Sequence, residues 1–192
     1  MPTVYVIDVD GTIAQNEHRA VHLVYQCLQC LNFEKGVVDP DGFLCTHCGC
    51  MDGKPTKESW DHFEDPKLVA LDIPVLGAQA GIRALIAGGH PVHYLTARGP
   101  ELYSTTHAWL QQHFNFDGIQ QTLTTRSVAS KESKQPAHEF KEEEVFKLKH
   151  TLDQQYSDYN LVFLDDHKDN LKMFSKHGIA FKAPEFWNLM HV

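Results

Sequence analysis

A strand that is apolar on both faces and ends in two carboxylates constrains this chain more than any other feature. In "VYVIDVDGTIA", Val4, Tyr5, Val6 and Ile7 are β-branched or aromatic, the pattern of a strand covered on both sides. Asp8 and Asp10 stand where that strand ends, one valine apart. Two like charges so close to a core cost several kcal/mol unless a cation or a proton offsets them. The pattern therefore predicts a metal site at a strand tip.

The rest of the chain repeats the theme. "HPVHYLTARG" reads as a strand and the turn after it, "GIQQTLTT" as a short strand, "LVFLDD" as a strand and "IAFKA" as a last one. Between them lie helical stretches. "PVLGAQAGIRALIAGG" carries Val75, Ile82, Leu85 and Ile86 on one face and stops at Gly88-Gly89. "PELYSTTHAWLQQHF" opens with Pro100 in its first turn. "EFKEEEVFKLKHTL" turns Val145, Leu148 and Leu152 inward, and "HKDNLKMFSKHG" follows the "LVFLDD" strand. Alternation of this kind predicts an α/β, Rossmann-like fold whose mainly parallel sheet is covered by helices on both faces. Ligands of such sheets bind at the carboxyl ends of the strands.

Nearer the N-terminus, "AQNEHRAVHLVYQCL" is expected to be helical through Val21, Val24, Tyr25 and Leu28, and "TKESWDHFED" to be a short helix capped by Thr56. Residues 27–52 lose periodicity, carry "DPDG" as a turn signal and hold all five cysteines. They are expected to be a small insertion, leaving residues 1–26 and 53–192 as the core domain. Ser127 to His138 is polar and expected to be mobile.

Three predicted strands finish in polar residues suited to one site: Asp8 and Asp10, Thr96 and Arg98, and Asp165 and Asp166. With the strand contexts in place, "DVDGT", the apolar strand ending in Thr96, a helix-borne lysine and "LDDHKDN" resemble, in order, the four motifs of the haloacid dehalogenase superfamily. "DVDGTIAQNEHR", "WDHF", "YLTARG" and "APEFW" resemble more narrowly the phosphatase domains of phage polynucleotide kinases and related nucleotide phosphatases.

The resemblance implies a phosphatase. Asp8 would be the nucleophile that forms an aspartyl-phosphate, and Asp10 the general acid and base. A catalytic Mg²⁺ would be held by Asp8, the main-chain carbonyl of Asp10 and Asp165, with Asp166 and Asp169 orienting its water shell. Thr96 would donate to the phosphate, helped by backbone amides after Asp8, at Gly11 and Thr12, and by Ala97 beside it. Arg98 would be a second phosphate contact, since guanidinium groups pair bidentately with phosphate oxygens. Arg19 would reach substrate. The third-motif lysine is assigned to Lys147, with Lys141 and Lys149 as alternatives.

The cysteines supply a second site. Cys27-x-x-Cys30 and Cys45-x-x-Cys48, with fourteen residues between the pairs, have the layout of a zinc ribbon. Cys50 is left over as an alternative to Cys48. An all-cysteine site has no open position for water, so the Zn²⁺ is expected to be structural. "GCMDGKPT" fails as a phosphate-binding loop because its spacing is one residue short and Pro55 stands where Ser or Thr is required. His18 and His22 share a helix face without an acidic partner and are read as surface or pocket-lining groups. Trp60, Asp61 and Phe63 are candidates to line a base-sized pocket, with core packing as the equal alternative for the two aromatics.

Lys and Arg total 17 against 25 Asp and Glu, a formal charge of -8, which argues against strong sequence-blind binding to duplex DNA and leaves room for a local basic groove. No stretch approaches the roughly 18 apolar residues of a membrane span, and "MPT" leads straight into a strand. The expected location is the cytoplasm. The expected partner is a phosphorylated nucleotide or a nucleic-acid 3′-phosphate end, with a homo-oligomer as a further possibility. A small sugar or metabolite phosphate is the alternative substrate. A non-catalytic zinc-ribbon binding module on the same scaffold is the alternative of a different class.

Overall fold

The computed structural model describes residues 1–35, 43–132 and 134–189. The "DPDG" turn signal at residues 39–42 lies outside them. In chain order the elements begin with β1 (Thr3–Ile7), β2 (Ala14–Gln15), α1 (Glu17–Ala20), β3 (Val24–Cys27), β4 (Phe33–Lys35) and β5 (Gly53–Pro55). Then come α2 (Lys57–Phe63), α3 (Pro66–Val69), β6 (Ile73–Pro74), α4 (Ala78–Ala87), β7 (Val92–Leu95), a 3₁₀ turn (Pro100–Leu102) and α5 (Tyr103–Phe114). The chain closes with β8 (Gln121–Thr124), α6 (Val128–Glu132), α7 (Ala137–Gln155), β9 (Asn160–Asp165), α8 (Lys168–Phe174), β10 (Ile179–Lys182) and α9 (Ala183–Leu189).

Residues 1–15 and 73–192 form one compact unit, and residues 16–72 a second. The first is built on a five-stranded sheet of order β10-β9-β1-β7-β8, in which every pairing is parallel. The fold is Rossmann-like. Period-two alternation along β1 feeds two cores. Val4 and Val6 pack with Leu95, Leu161, Phe163 and, from α7 and α8, Phe140, Val145, Met173 and Phe174. Ile7 packs on the opposite face with Tyr94, Leu164, Ile82, Trp109, Phe114 and Trp187. Each large apolar side chain so buried contributes about 1.5–3 kcal/mol. Gly81 lets α4 approach Trp187, whose ring would lie 2.7 Å from a Cβ there. The Trp187 indole donates to the carbonyl of Thr12 at 2.8 Å, tying α9 to the turn after β1.

The second unit contains all of residues 27–52 that the structure describes, within a three-stranded antiparallel sheet of order β4-β3-β5 and helices α1 to α3. The helix expected over residues 14–28 is not formed. It is one turn, Glu17–Ala20, followed by strand β3. Tyr25 and Gln26 pair on both sides, with Glu34 and Phe33 of β4 and with Pro55 and Lys54 of β5, so sheet pairing overrides the helical spacing of the apolar residues. Thr56 caps α2 as expected, its hydroxyl accepting from the amide of Ser59. The polar segment from Ser127 holds the short helix α6.

Candidate active site and cysteine cluster

β1, β7 and β9 run side by side in one direction, so their carboxyl ends meet at one edge of the sheet. Asp8 follows β1, and its amide donates to Leu164 in β9 at 2.9 Å. Carboxylate oxygens of Asp8, Asp165 and Asp166 all lie within 4.8 Å of one another. Asp8 and Asp165 are buried, and Asp166 meets solvent. The turn after β1 is fixed at Gly11, whose φ of +74° suits glycine. A Cβ at Gly11 would lie 2.2 Å from Asp166 Oδ2, so the backbone passes directly against that carboxylate.

The cation serving this cluster is Lys141. Its ammonium lies 2.9 Å from Asp8 Oδ1 and donates to Asp165 Oδ2 at 2.7 Å. Lys147, chosen from sequence, is instead exposed on α7 and pairs with Glu144. The reason is helical geometry. Lys141, Val145, Leu148 and Leu152 follow the i, i+4, i+7, i+11 stripe, whereas six residues advance a helix by about 240° away from Lys141. Extending the inward stripe by one turn would have found Lys141 in the sequence.

Asp165 is held from other sides too. Asn170 Nδ2 donates to both of its oxygens, at 3.0 and 3.1 Å, and the His167 amide donates to Oδ1 at 2.8 Å. The sequence carries no distinctive signal for Asn170, an asparagine five residues past a strand tip. Burial is the largest influence on Asp8. Lys141 opposes it, Asp165, Asp166 and Asp10 add to it, and the carboxyl stands well above the usual carboxylate range. Partial desolvation, with Asp165 adding its charge, pushes Asp166 up to about 6. For Lys141, desolvation is outweighed by the two carboxylates, which hold it above its ordinary value.

Among the described residues, the Lys141 ammonium touches two of the three clustered carboxylates, and the donors of the cluster are all oxygens. The set therefore fits a hard divalent cation such as Mg²⁺.

Thr96 and Arg98 follow β7. Thr96 is buried, its amide donates to Thr124 in β8, and its hydroxyl accepts from the Arg98 amide at 3.3 Å. The Ala97 carbonyl accepts from Arg126 Nε at 2.9 Å. The Arg98 guanidinium grips Asp10, with Nε and Nη2 each donating at 2.9 Å to one carboxylate oxygen. The amides of Gly11 and Thr12 donate within the turn, to Ala14 and Val9. The fully buried Thr12 hydroxyl is left without a hydrogen-bond partner among the described residues.

Arg19 belongs to the second unit, where its buried guanidinium makes paired 2.8 Å bonds to Asp72 and a 2.7 Å bond to the Phe63 carbonyl. It also stacks on the Phe63 ring at 4.3 Å. Asp72, which had no motif around it, was not anticipated. Phe63 itself stacks on the part-exposed Trp60, while Asp61 pairs with Lys57. His18 contacts the Leu68 carbonyl and Asp72, and His22 packs edge-on against His62.

Sulfur atoms of Cys27, Cys30, Cys45 and Cys48 lie within 4.8 Å of one another, with Cys27–Cys48 and Cys30–Cys45 both at 3.6 Å. Disulfides need about 2.05 Å, whereas a tetrahedron with Zn–S bonds of about 2.3 Å has S···S edges of about 3.8 Å. The cluster fits a zinc ribbon. Cys50 stays outside it, its sulfur accepting from the Asp52 amide at 3.2 Å. The backbone at Cys30 pulls the Cys27 thiol down to about 6, while against the backbone at Cys50, desolvation and the neighbouring thiols push Cys48 up to about 12.

No protein-family model matches the chain, and no curated protein matches it by sequence. Solved structures do. A chain described in "Structure of the Pnkp1/Rnl/Hen1 RNA repair complex" is 15% identical with a TM-score of 0.55, over 95% of this chain and 42% of that one. This protein thus spans less than half the length of that chain. The Mycobacterium tuberculosis protein tyrosine kinase A is 16% identical with a TM-score of 0.53, over 94% of this chain and 83% of that one. A hydrolase from Pseudomonas syringae is 13% identical with a TM-score of 0.42, each chain covered to 98%. The first two likenesses are of fold.

Proposed function

We propose that the protein is a Mg²⁺-dependent phosphomonoesterase that works through an aspartyl-phosphate. The observation that carries this reading is the meeting of Asp8, Asp165 and Asp166 within 4.8 Å at a parallel-sheet edge, with the buried Lys141 ammonium on the first two. Asp8, Asp165 and Asp166 would hold Mg²⁺, which when bound supplies positive charge that lets a carboxylate approach a phosphate dianion.

In the first half-reaction an Asp8 oxygen forms a bond to phosphorus as the ester P–O bond breaks, and Asp10 gives its proton to the departing oxygen. In the second, Asp10 takes a proton from water as the water oxygen attacks phosphorus. The acyl-phosphate bond then breaks, releasing inorganic phosphate and restoring Asp8. Lys141 keeps the Asp8 and Asp165 carboxylates directed, and Thr96 contacts the phosphate.

The motif resemblance and the fold likeness to a chain of an RNA repair complex favour a nucleotide or a nucleic-acid 3′-phosphate end as substrate. We read residues 27–52 as a zinc-binding insertion at the chain position where haloacid dehalogenase phosphatases carry a cap. Its closed set of four thiolates suits a structural ion.

The test is release of phosphate from 4-nitrophenyl phosphate with and without Mg²⁺, beside Asp8→Asn. Metal-dependent turnover that the variant lacks is expected; its absence in the parent removes the reading. Nucleoside monophosphates, sugar phosphates and 3′-phosphorylated oligonucleotides compared at two salt concentrations then choose the substrate. Salt sensitivity confined to the oligonucleotide identifies the polymer.

A further inference from the structure

The geometry points to Arg98 as a positioning residue for Asp10, anchored by Thr106, and away from a direct role in holding phosphate. This inference rests on the phosphomonoesterase reading and assigns a task within it.

Three nitrogens of the Arg98 guanidinium are engaged. Nε donates to Asp10 Oδ2 and Nη2 to Asp10 Oδ1, both at 2.9 Å, while Nη1 donates to Thr106 Oγ1 at 3.0 Å. Two parallel bonds from a planar fork fix the plane of a carboxylate as well as its position. The fork is itself fixed. Thr106 is fully buried in α5, the Arg98 amide donates to Thr96 Oγ1 at 3.3 Å, and the Arg98 carbonyl accepts from the Arg126 amide at 3.0 Å.

Exposure decides which end of the pair meets substrate. The Arg98 side chain is 3% exposed and that of Asp10 25%. An incoming phosphate ester therefore meets the carboxylate first, with the guanidinium behind it. A general acid displaced by about 1 Å from its reacting atom loses about 100-fold in rate, so a rigid backing for Asp10 has a direct kinetic consequence. Thr106, Arg98 and Asp10 form one chain of contacts from α5 to the reacting edge.

The test compares Arg98→Lys, Arg98→Gln and Thr106→Val, each alone and combined with Asp10→Asn, on 4-nitrophenyl phosphate and phenyl phosphate. Inorganic phosphate serves as competitive inhibitor. In an otherwise intact protein, the Arg98 variants should lower kcat by about 10–100-fold while KM and the phosphate inhibition constant move less than about 3-fold. The loss should be larger on phenyl phosphate, whose leaving group depends more on a delivered proton. In the Asp10→Asn background the same changes should cost less than about 3-fold more, because the two residues act as one unit. Thr106→Val should show a weaker version of the same pattern.

Circular dichroism establishes whether each variant is folded. If the Arg98 variants are not, Thr106→Val, which removes one hydroxyl, decides alone. The inference is overturned by a phosphate inhibition constant raised about 10-fold or more, by equal losses on both leaving groups, by additivity with Asp10→Asn, or by unchanged kinetics in folded variants. If Asp8→Asn retains the parent's turnover, the phosphomonoesterase reading itself fails. If Asp8→Asn is inactive and the Arg98 effects are additive, only the present inference does.

Discussion

Lys141 and Asp165 are joined by a 2.7 Å ion pair in which neither side chain exposes more than 2% of its surface. Because the same ammonium serves Asp8, removing it leaves two buried carboxylates without their counter-charge. Lys141→Met should lower stability by about 3–5 kcal/mol in chelator. Millimolar Mg²⁺ should raise the thermal midpoint of the variant more than that of the parent, since a cation bound only by the folded state then replaces lost charge. Lys147→Ala, at an exposed pair with Glu144, should stay within about 0.5 kcal/mol of the parent and keep its turnover. Denaturant titration of both variants, with and without Mg²⁺, checks the contrast.

Gly11 is the second sensitive point. Gly11→Ala places a methyl group 2.2 Å from Asp166 Oδ2 at a φ of +74°. The left-handed backbone alone costs roughly 1–2 kcal/mol for an L-residue, and the carboxylate must also move. The expected result is a modest fall in thermal midpoint with a disproportionate loss of Mg²⁺-dependent turnover and a higher Mg²⁺ requirement. An alanine protein with the parent's Mg²⁺ titration would show that Asp166 plays no part in holding the ion.

These two positions also show what the sequence does and does not disclose. The central strands of the sheet are legible because each is an apolar run between turn signals, and their parallel arrangement follows from the intervening helices. Strand tips carrying Asp8, Asp10, Thr96, Arg98, Asp165 and Asp166 were therefore identifiable before any coordinates. The pairing of side chains across those tips was not, because Arg98 and Asp10 lie 88 residues apart and either phosphate or carboxylate satisfies a guanidinium. The same holds for Arg19 and Asp72, 53 residues apart. The cysteine spacing specifies its cluster because each pair's turn is local, whereas the β3 segment carries helical spacing in its sequence and takes its extended form from partners on both sides.

The Arg19–Asp72 pair predicts a stability effect confined to residues 16–72. Asp72→Ala leaves a buried guanidinium without its paired carboxylate, at a cost of about 3–5 kcal/mol. Replacing both, as Arg19→Met with Asp72→Leu, should cost less than Asp72→Ala alone, because no charge is left unpaired. Hydrogen exchange resolved by peptide should show the loss of protection in the second unit.

Zinc removal gives a further outcome. The parent should carry one equivalent of zinc, and Cys45→Ser should lose it together with cooperative unfolding of the segment, while Cys50→Ser keeps both. Metal analysis of dialysed protein measures this directly, and a Cys45→Ser protein with a full equivalent of zinc means that the ligands are misassigned. Because the thiolate site is closed, the zinc-free protein should retain Mg²⁺-dependent turnover to the extent that it stays folded.

The last prediction concerns pH. His93 in β7 stands opposite Thr122 of β8, and its ring nitrogens contact the hydroxyls of Thr122 and Thr124. Desolvation pulls the imidazole down to about 4, so the folded state holds it neutral where the unfolded chain, at about 6.5, begins to take up a proton. The unfolded state then binds more protons between those values. The contribution of His93 is complete above about pH 6.5 and is lost as pH falls toward 4, by at most about 3 kcal/mol. His93→Asn should remove that component. Denaturation midpoints taken every half unit across this window should converge for parent and variant as the pH drops. A gap that stays constant would mean that the ring does not titrate differently in the two states.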